Sequence, residues 1–292
     1  MKKIKELLIE KSLLSSALIT IAVTFGIISV LAVEAFQFFS EVSILDFFTD
    51  TQWTPLFTDK HYGILPLLSG TLLTSFIAIS VALPVGLSIS IYLSEYAPTN
   101  FRKTVKPLLE LLAAVPTVVY GFFALIVVTP FLQQFIPGLS GFNSLSAGIV
   151  MGIMIIPFVS SISEDALYAV PKDLREASYG MGATKLQTAF KVVVPAASSG
   201  IIVSIILAIS RAIGETMIVA IAAGQQPRLT LDPTVPVETI TAYIVQVSLG
   251  DVQHGSIEYK TIFAAGITLF VFTFLLNSLS YRIRKKYQEK YE

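Results

Sequence analysis

Two charged side chains four residues apart, Arg211 and Glu215, interrupt an otherwise apolar stretch. On a single helix they would share one face, about 6 Å apart along the axis. A charge near the centre of a bilayer costs about 2.5 to 3.5 kcal/mol even on the lenient insertion scale, so both should face protein or a wet cavity. Two readings fit such a pair. One is a permanent ion pair that glues helices. The other is an anion-handling site, because a guanidinium offers oxyanions a planar fork of donors. In the second reading Glu215 pairs with Arg211 at rest and competes for it as the anion leaves. Thr216, with Ser204 and Ser210, either lines the same path or serves helix packing.

Other chemistry is poorly supplied. The chain has no cysteine and two distant histidines, His61 and His254, so neither thiol chemistry nor a buried metal site is expected. Glu164 with Asp165, and Glu258 near His254, read as loop charges. No nucleophile and base assemble into a recognisable motif, so an enzyme is not expected. No Gly-x-x-x-x-Gly-Lys-[Ser/Thr] loop occurs, so any ATP hydrolysis must come from a partner.

The elements that must position these residues follow from composition. Of 292 residues, 54% are hydrophobic and 14% charged, against roughly 25% charged in soluble domains. Twenty basic and twenty acidic side chains cancel, leaving no global field to attract nucleic acid. Six apolar stretches are long enough to cross a hydrocarbon core, near 13–35, 66–93, 107–131, 145–163, 196–223 and 261–281. The expected fold class is therefore all-α, a polytopic membrane protein of six transmembrane helices. The first stretch exceeds a signal-peptide core and lacks a convincing cleavage site, so it is expected to remain as an anchor.

Basic residues set the orientation. Sixteen of the twenty fall before the first span, between spans two and three, between four and five, or after the sixth, whereas the opposite loops hold Lys60, Arg228 and Lys260. Both termini should then be cytoplasmic. Loops 36–65 and 224–260 lie outside, too polar to span and too short for a domain, with an external partner as their natural contact. Prolines such as Pro84, Pro116 and Pro157 read as kinks.

Residues 164–195 form the longest cytoplasmic loop. Pro171 opens a short helix through Arg175, Glu176, Ala177 and Ser178. Gly180 and Gly182 then bend the chain into a second helical piece, closed by Val192-Val193-Val194-Pro195. The order Glu176-Ala177-Ser178, three residues, Gly182, nine residues, Val192-x-Val194-Pro195 resembles the coupling loop of ABC importer permeases, Glu-Ala-Ala-x3-Gly-x9-Ile-x-Leu-Pro. Three conservative departures leave its spacing intact. The resemblance implies a type I importer permease fold in which Glu176, Ala177, Gly182 and Pro195 belong to a helix that docks on a separate ATPase.

Further segments narrow the resemblance. Arg211-Ala212-Ile213-Gly214-Glu215-Thr216-Met217 and Val115-Pro116-Thr117-Val118-Val119-Tyr120-Gly121 look like phosphate-specific importer permeases. Trp53-Thr54-Pro55 with Gly70-Thr71-Leu72 is similar to the PstC type within them. The resemblance implies a second permease of PstA type, an ATPase dimer of PstB type and an extracytoplasmic phosphate-binding protein of PstS type. It also implies ATP and Mg on the ATPase, and a bacterial or archaeal cytoplasmic membrane. Arg211, Glu215 and Thr216 are then expected along the substrate pathway. The implied organisation is 1–65 for tail, first helix and outer loop, 66–281 for the permease domain, and 282–292 for a basic tail. The paralogous PstA subunit, a molybdate or sulfate permease, and an ion-gradient-driven carrier or channel remain as alternatives.

Overall fold

The structure is a computed structural model that describes residues 2–287. The basic tail expected over 282–292 runs beyond that range, and its residues 288–292 lie outside the described residues. In order, the helices are α1 Lys2–Glu41, α2 Ile44–Thr49, α3 Leu65–Ile91, α4 Thr99–Ala113, α5 Thr117–Phe123, α6 Thr129–Gln133 and α7 Ser144–Tyr168. They continue with α8 Lys172–Gly180, α9 Lys185–Thr188, α10 Val194–Ala196, α11 Ser198–Ile213, α12 Met217–Ala222, α13 Ile240–Leu249 and α14 Ile257–Tyr287.

Four of the expected spans are unbroken helices, within α1, α3, α7 and α14. The other two are bent. The stretch expected over 107–131 turns by 84° between Thr99–Ala113 and Thr117–Gln133. Only together are the two pieces long and apolar enough to cross, and α4 has no buried residue. Pro116 lies at the break with an extended ψ of 134°, and a proline disfavours helical backbone in the residue before it. The stretch expected over 196–223 is likewise divided, as set out below.

Wide π-helical turns occur at Tyr92–Tyr96, Ala124–Val128 and Ala189–Val193. Each ends two residues before a proline: Pro98, Pro130 and Pro195. A proline ring displaces the carbonyl four residues earlier and brings no N–H, so the turn before it opens.

The centre of the bundle is α3 against α7. A Cβ added at Gly148 would lie 2.7 Å from the Ile77 side chain, and one at Gly152 2.7 Å from the Ala78 carbonyl oxygen. Small residues thus let the two backbones meet where no hydrophobic effect drives helices together in lipid.

The two outer loops, expected to be too polar to span and too short for a domain, carry helices of their own. Loop 224–260 contains the apolar helix α13, and loop 36–65 contains α2. They fold together with the start of α14 into one cap around Phe38, Phe47, Trp53, Tyr243, Val247 and Ile262. Trp53 meets Tyr243 edge-on at 5.0 Å between ring centroids. Lys60 pairs with Glu258 at 2.5 Å and Lys260 with Glu41 at 3.2 Å. Two of the three basic residues assigned to the outer side, Lys60 and Lys260, thus make ion pairs on this cap, and Glu258 is a helix-start partner rather than a free loop charge.

Candidate functional site

The stretch carrying Arg211 and Glu215 is two helices, α11 and α12, separated by Gly214-Glu215-Thr216. This corrects the expectation of one helical face and of a resting ion pair. The short α12 exposes unpaired N–H groups at its start, and a carboxylate is the best acceptor for them. Glu215 Oε1 accepts from the backbone N–H groups of Met217 at 3.1 Å and Ile218 at 3.3 Å. The residue is 9% exposed. Its carbonyl accepts from the Thr241 hydroxyl at 2.6 Å, and Thr216 Oγ1 donates to the Gly214 carbonyl at 3.3 Å. Arg211, on the last turn of α11, is exposed. Its guanidinium carbon stands 5.9 Å from the centroid of the Phe158 ring, and among the described residues it makes no ion pair. The break therefore leaves one cation without an ion-pair partner among the described residues, four positions before the capping Glu215. Of the two serines considered with it, Ser204 is buried against Ser163 at 2.6 Å, which is a packing contact, and Ser210 donates to Asn277 Oδ1 at 2.9 Å.

The cytoplasmic loop takes the form the spacing implies, two short helices with a turn between. Pro171 precedes α8, and Gly182, at φ +83°, ends it. The Gly182 N–H donates to the Tyr179 carbonyl at 2.9 Å and the Ala183 N–H to that of Ser178 at 3.2 Å. This is the Schellman arrangement, which needs a left-handed residue at that point. Gly180, by contrast, is an ordinary helical residue in open space. Thr184 and Gln187 form a reciprocal capping box on α9. Ser178, a departure from the coupling-loop pattern, bonds Thr188 Oγ1 at 2.9 Å and so pins α8 to α9. Glu176 and Ala177 are exposed on α8, and Met181 at the tip is 89% exposed. Pro195 lies in α10, where the chain bends by 72° between Lys185–Ala196 and Ser198–Ile213.

Residues 82–289 match the family described as Binding-protein-dependent transport system inner membrane component. The chain belongs to this family. A probable ABC transporter permease, YqgH of Bacillus subtilis, is 38% identical over 89% of this chain and 84% of its own length. The phosphate transport system permease PstC of Mesorhizobium japonicum is 36% identical over 80% and 76%. Among solved structures, a bacterial alginate ABC transporter in complex with its periplasmic protein superposes with a TM-score of 0.63 at 18% identity, covering 94% of this chain and 95% of the other. That likeness establishes the fold, a type I ABC importer permease. This protein is thus the multi-pass permease subunit of an ABC importer, a system in which ATP is hydrolysed on a separate subunit and cargo comes from a substrate-binding protein.

In this permease, α8 is bolted to two spans. Arg175 donates to Glu95 Oε1 at 2.8 Å, and to the carbonyls of Leu167 at 2.8 Å and Val170 at 2.6 Å. It thereby satisfies orphan carbonyls at the end of α7 and the carboxylate in the turn after α3. Beside it, Glu164 is buried in the last turns of α7 and takes both Arg102 and Lys106 of α4, the latter at 2.8 Å. Lys106 also pairs with Asp165. Glu164 is therefore not the loop charge expected from sequence. Glu95, Arg102, Arg175 and Thr241 are partners of these elements that the sequence did not single out. An acidic residue at the rim of an apolar span was the available signal, but its partners lie 58 or more residues away.

Proposed function

We propose that this permease imports inorganic phosphate across a bacterial or archaeal cytoplasmic membrane. We place it in a complex with a PstA-type permease, a PstB-type ATPase dimer that binds ATP and Mg, and a PstS-type phosphate-binding protein. The observation that carries the cargo is the match to PstC permeases over most of both chains. One is that of Mesorhizobium japonicum; another, the probable PstC of Methanocaldococcus jannaschii, is 30% identical over 78% of this chain and 77% of its own. The geometry supports the same reading. Arg211 is an uncommitted guanidinium beside an interrupted helix, suited to a tetrahedral oxyanion. Glu215 enters the pathway as the cap that holds the break next to Arg211, and Thr216 as part of that break. Exposed Glu176, Ala177 and the Gly182 turn offer the ATPase a rigid docking element, with Pro195 passing its movement into α11.

Radiolabelled phosphate uptake at low external concentration tests this, in cells lacking the chain and supplied with either the parent or Arg211→Ala at matched membrane levels. Restoration by the parent alone supports both cargo and residue. Equal restoration by both makes Arg211 a structural residue. Failure of both, with sulfate or molybdate uptake responding instead, overturns the cargo.

A further inference from the structure

The outer cap encloses a cavity of about 310 Å³ that the proposed phosphate path does not use. Its walls include Trp53, Pro55, Gln225, Gln226 and Tyr243, with Glu238 among them and no lysine, arginine or histidine. Glu238 is 2% exposed, and among the described residues its Oε1 meets no hydrogen-bond donor. An unpaired buried carboxylate is expensive, and burial alone pushes this one up to about 8. The position is rigidly held, since a Cβ added at Gly70 would lie 2.2 Å from the Glu238 carbonyl oxygen. Gln225, on the opposite wall, adopts a left-handed φ of +49°, a strained state that marks places where backbone is held for a purpose.

Both wall segments are tied to α12 or to the break before it. Gln225 Nε2 donates to the Ala220 carbonyl of α12 at 2.9 Å. Three residues after Glu238, Thr241 donates to the Glu215 carbonyl. The segments that carry Gln225 and Glu238 are therefore tied to the two ends of α12, although no residue of α12 lines the cavity.

We propose that this cavity is a socket for one lysine or arginine side chain presented by the extracytoplasmic binding protein, with Glu238 as its counter-ion. A small, mostly apolar cavity with a single acid at its wall suits the stem and head of a long cationic side chain. With no lysine, arginine or histidine in its lining, it offers phosphate no cation. Docking would then be sensed at the break beside Arg211. The proposal rests on the reading of this chain as a permease fed by a phosphate-binding protein.

The test measures the affinity of the importer's own phosphate-binding protein for the assembled complex in nanodiscs, with the parent chain, Glu238→Gln and Glu238→Asp. Glu238→Gln is expected to weaken docking at least tenfold while the second permease and ATPase still co-purify, and Glu238→Asp is expected to recover part of the loss. Unchanged affinity in Glu238→Gln overturns the socket and leaves water as the occupant. Loss of the second permease from the complex also overturns it, assigning the cavity to that subunit. No docking by the parent itself overturns the phosphate reading along with the socket.

Discussion

Glu215 holds the start of α12 through one carboxylate oxygen, and that decides what its substitution does. Glutamine keeps an acceptor oxygen in the same place, so Glu215→Gln should support phosphate uptake near the parent rate. Glu215→Ala removes the cap at a cost of about 1 kcal/mol and should lower uptake several-fold. Equal damage from both would restore a charge-pair role with Arg211. The loop glycines invite a similar contrast. Gly182 has open space around its Cα but a left-handed φ, so Gly182→Ala meets a backbone penalty of about 1 to 2 kcal/mol. Gly180 carries no such demand. Binding-protein-stimulated ATPase activity should therefore fall in Gly182→Ala and stay near the parent in Gly180→Ala.

At the scale of elements, Arg175 joins α8 to the turn after α3 and to the end of α7. Arg175→Ala would leave Glu95 buried without its cation, a loss of about 3 to 5 kcal/mol, and would also free the Leu167 and Val170 carbonyls. The expected outcome is a lower Tm together with ATP hydrolysis that no longer tracks phosphate uptake. Glu95→Gln retains the carbonyl bonds and should uncouple less. The outer cap has its own pH signature. Burial holds the Glu238 carboxyl well above its ordinary 4.5, to about 8, so the folded state keeps a proton that the unfolded chain releases. Its contribution to stability is fullest below 4.5 and fades as pH climbs toward 8. The hydrogen bond to Asp50 raises His61 above 6.5, so that contribution is complete below 6.5 and lost as pH rises through the raised value. Both slopes have the same sign. Thermal unfolding of the cap, followed by the fluorescence of Trp53, should shift to lower temperature as pH rises, and Glu238→Gln should flatten the trend.

For the whole molecule, the decisive property is incompleteness. Arg211 is exposed on the chain, and so is the α8–α9 tip, which leaves the path and the coupling element waiting for other subunits. Purified alone in liposomes, the chain should pass no phosphate with either ATP or an ion gradient, and flux should appear only with ATPase and second permease co-reconstituted. Flux from the chain alone would identify a carrier or channel. The bundle itself is built on α3 and α7, whose glycines set how closely those helices approach.

Membrane crossing, the clustering of basic residues on one side and the coupling loop were legible because they are local. Hydropathy over about 20 residues marks a span whatever its neighbours, and a turn such as Ser178 to Ala183 closes on itself. The breaks at Pro116 and Gly214 were not, since an apolar run scores alike whether continuous or broken. Tertiary structure alone decided that Glu215 caps α12 instead of pairing with Arg211, that Glu164 is buried under Arg102 and Lys106, and that two outer loops fold into one cap. Each of these follows from long-range geometry. A buried charge or backbone N–H takes whichever partner the packed helices bring within about 3 Å, and sequence separation carries no record of that choice.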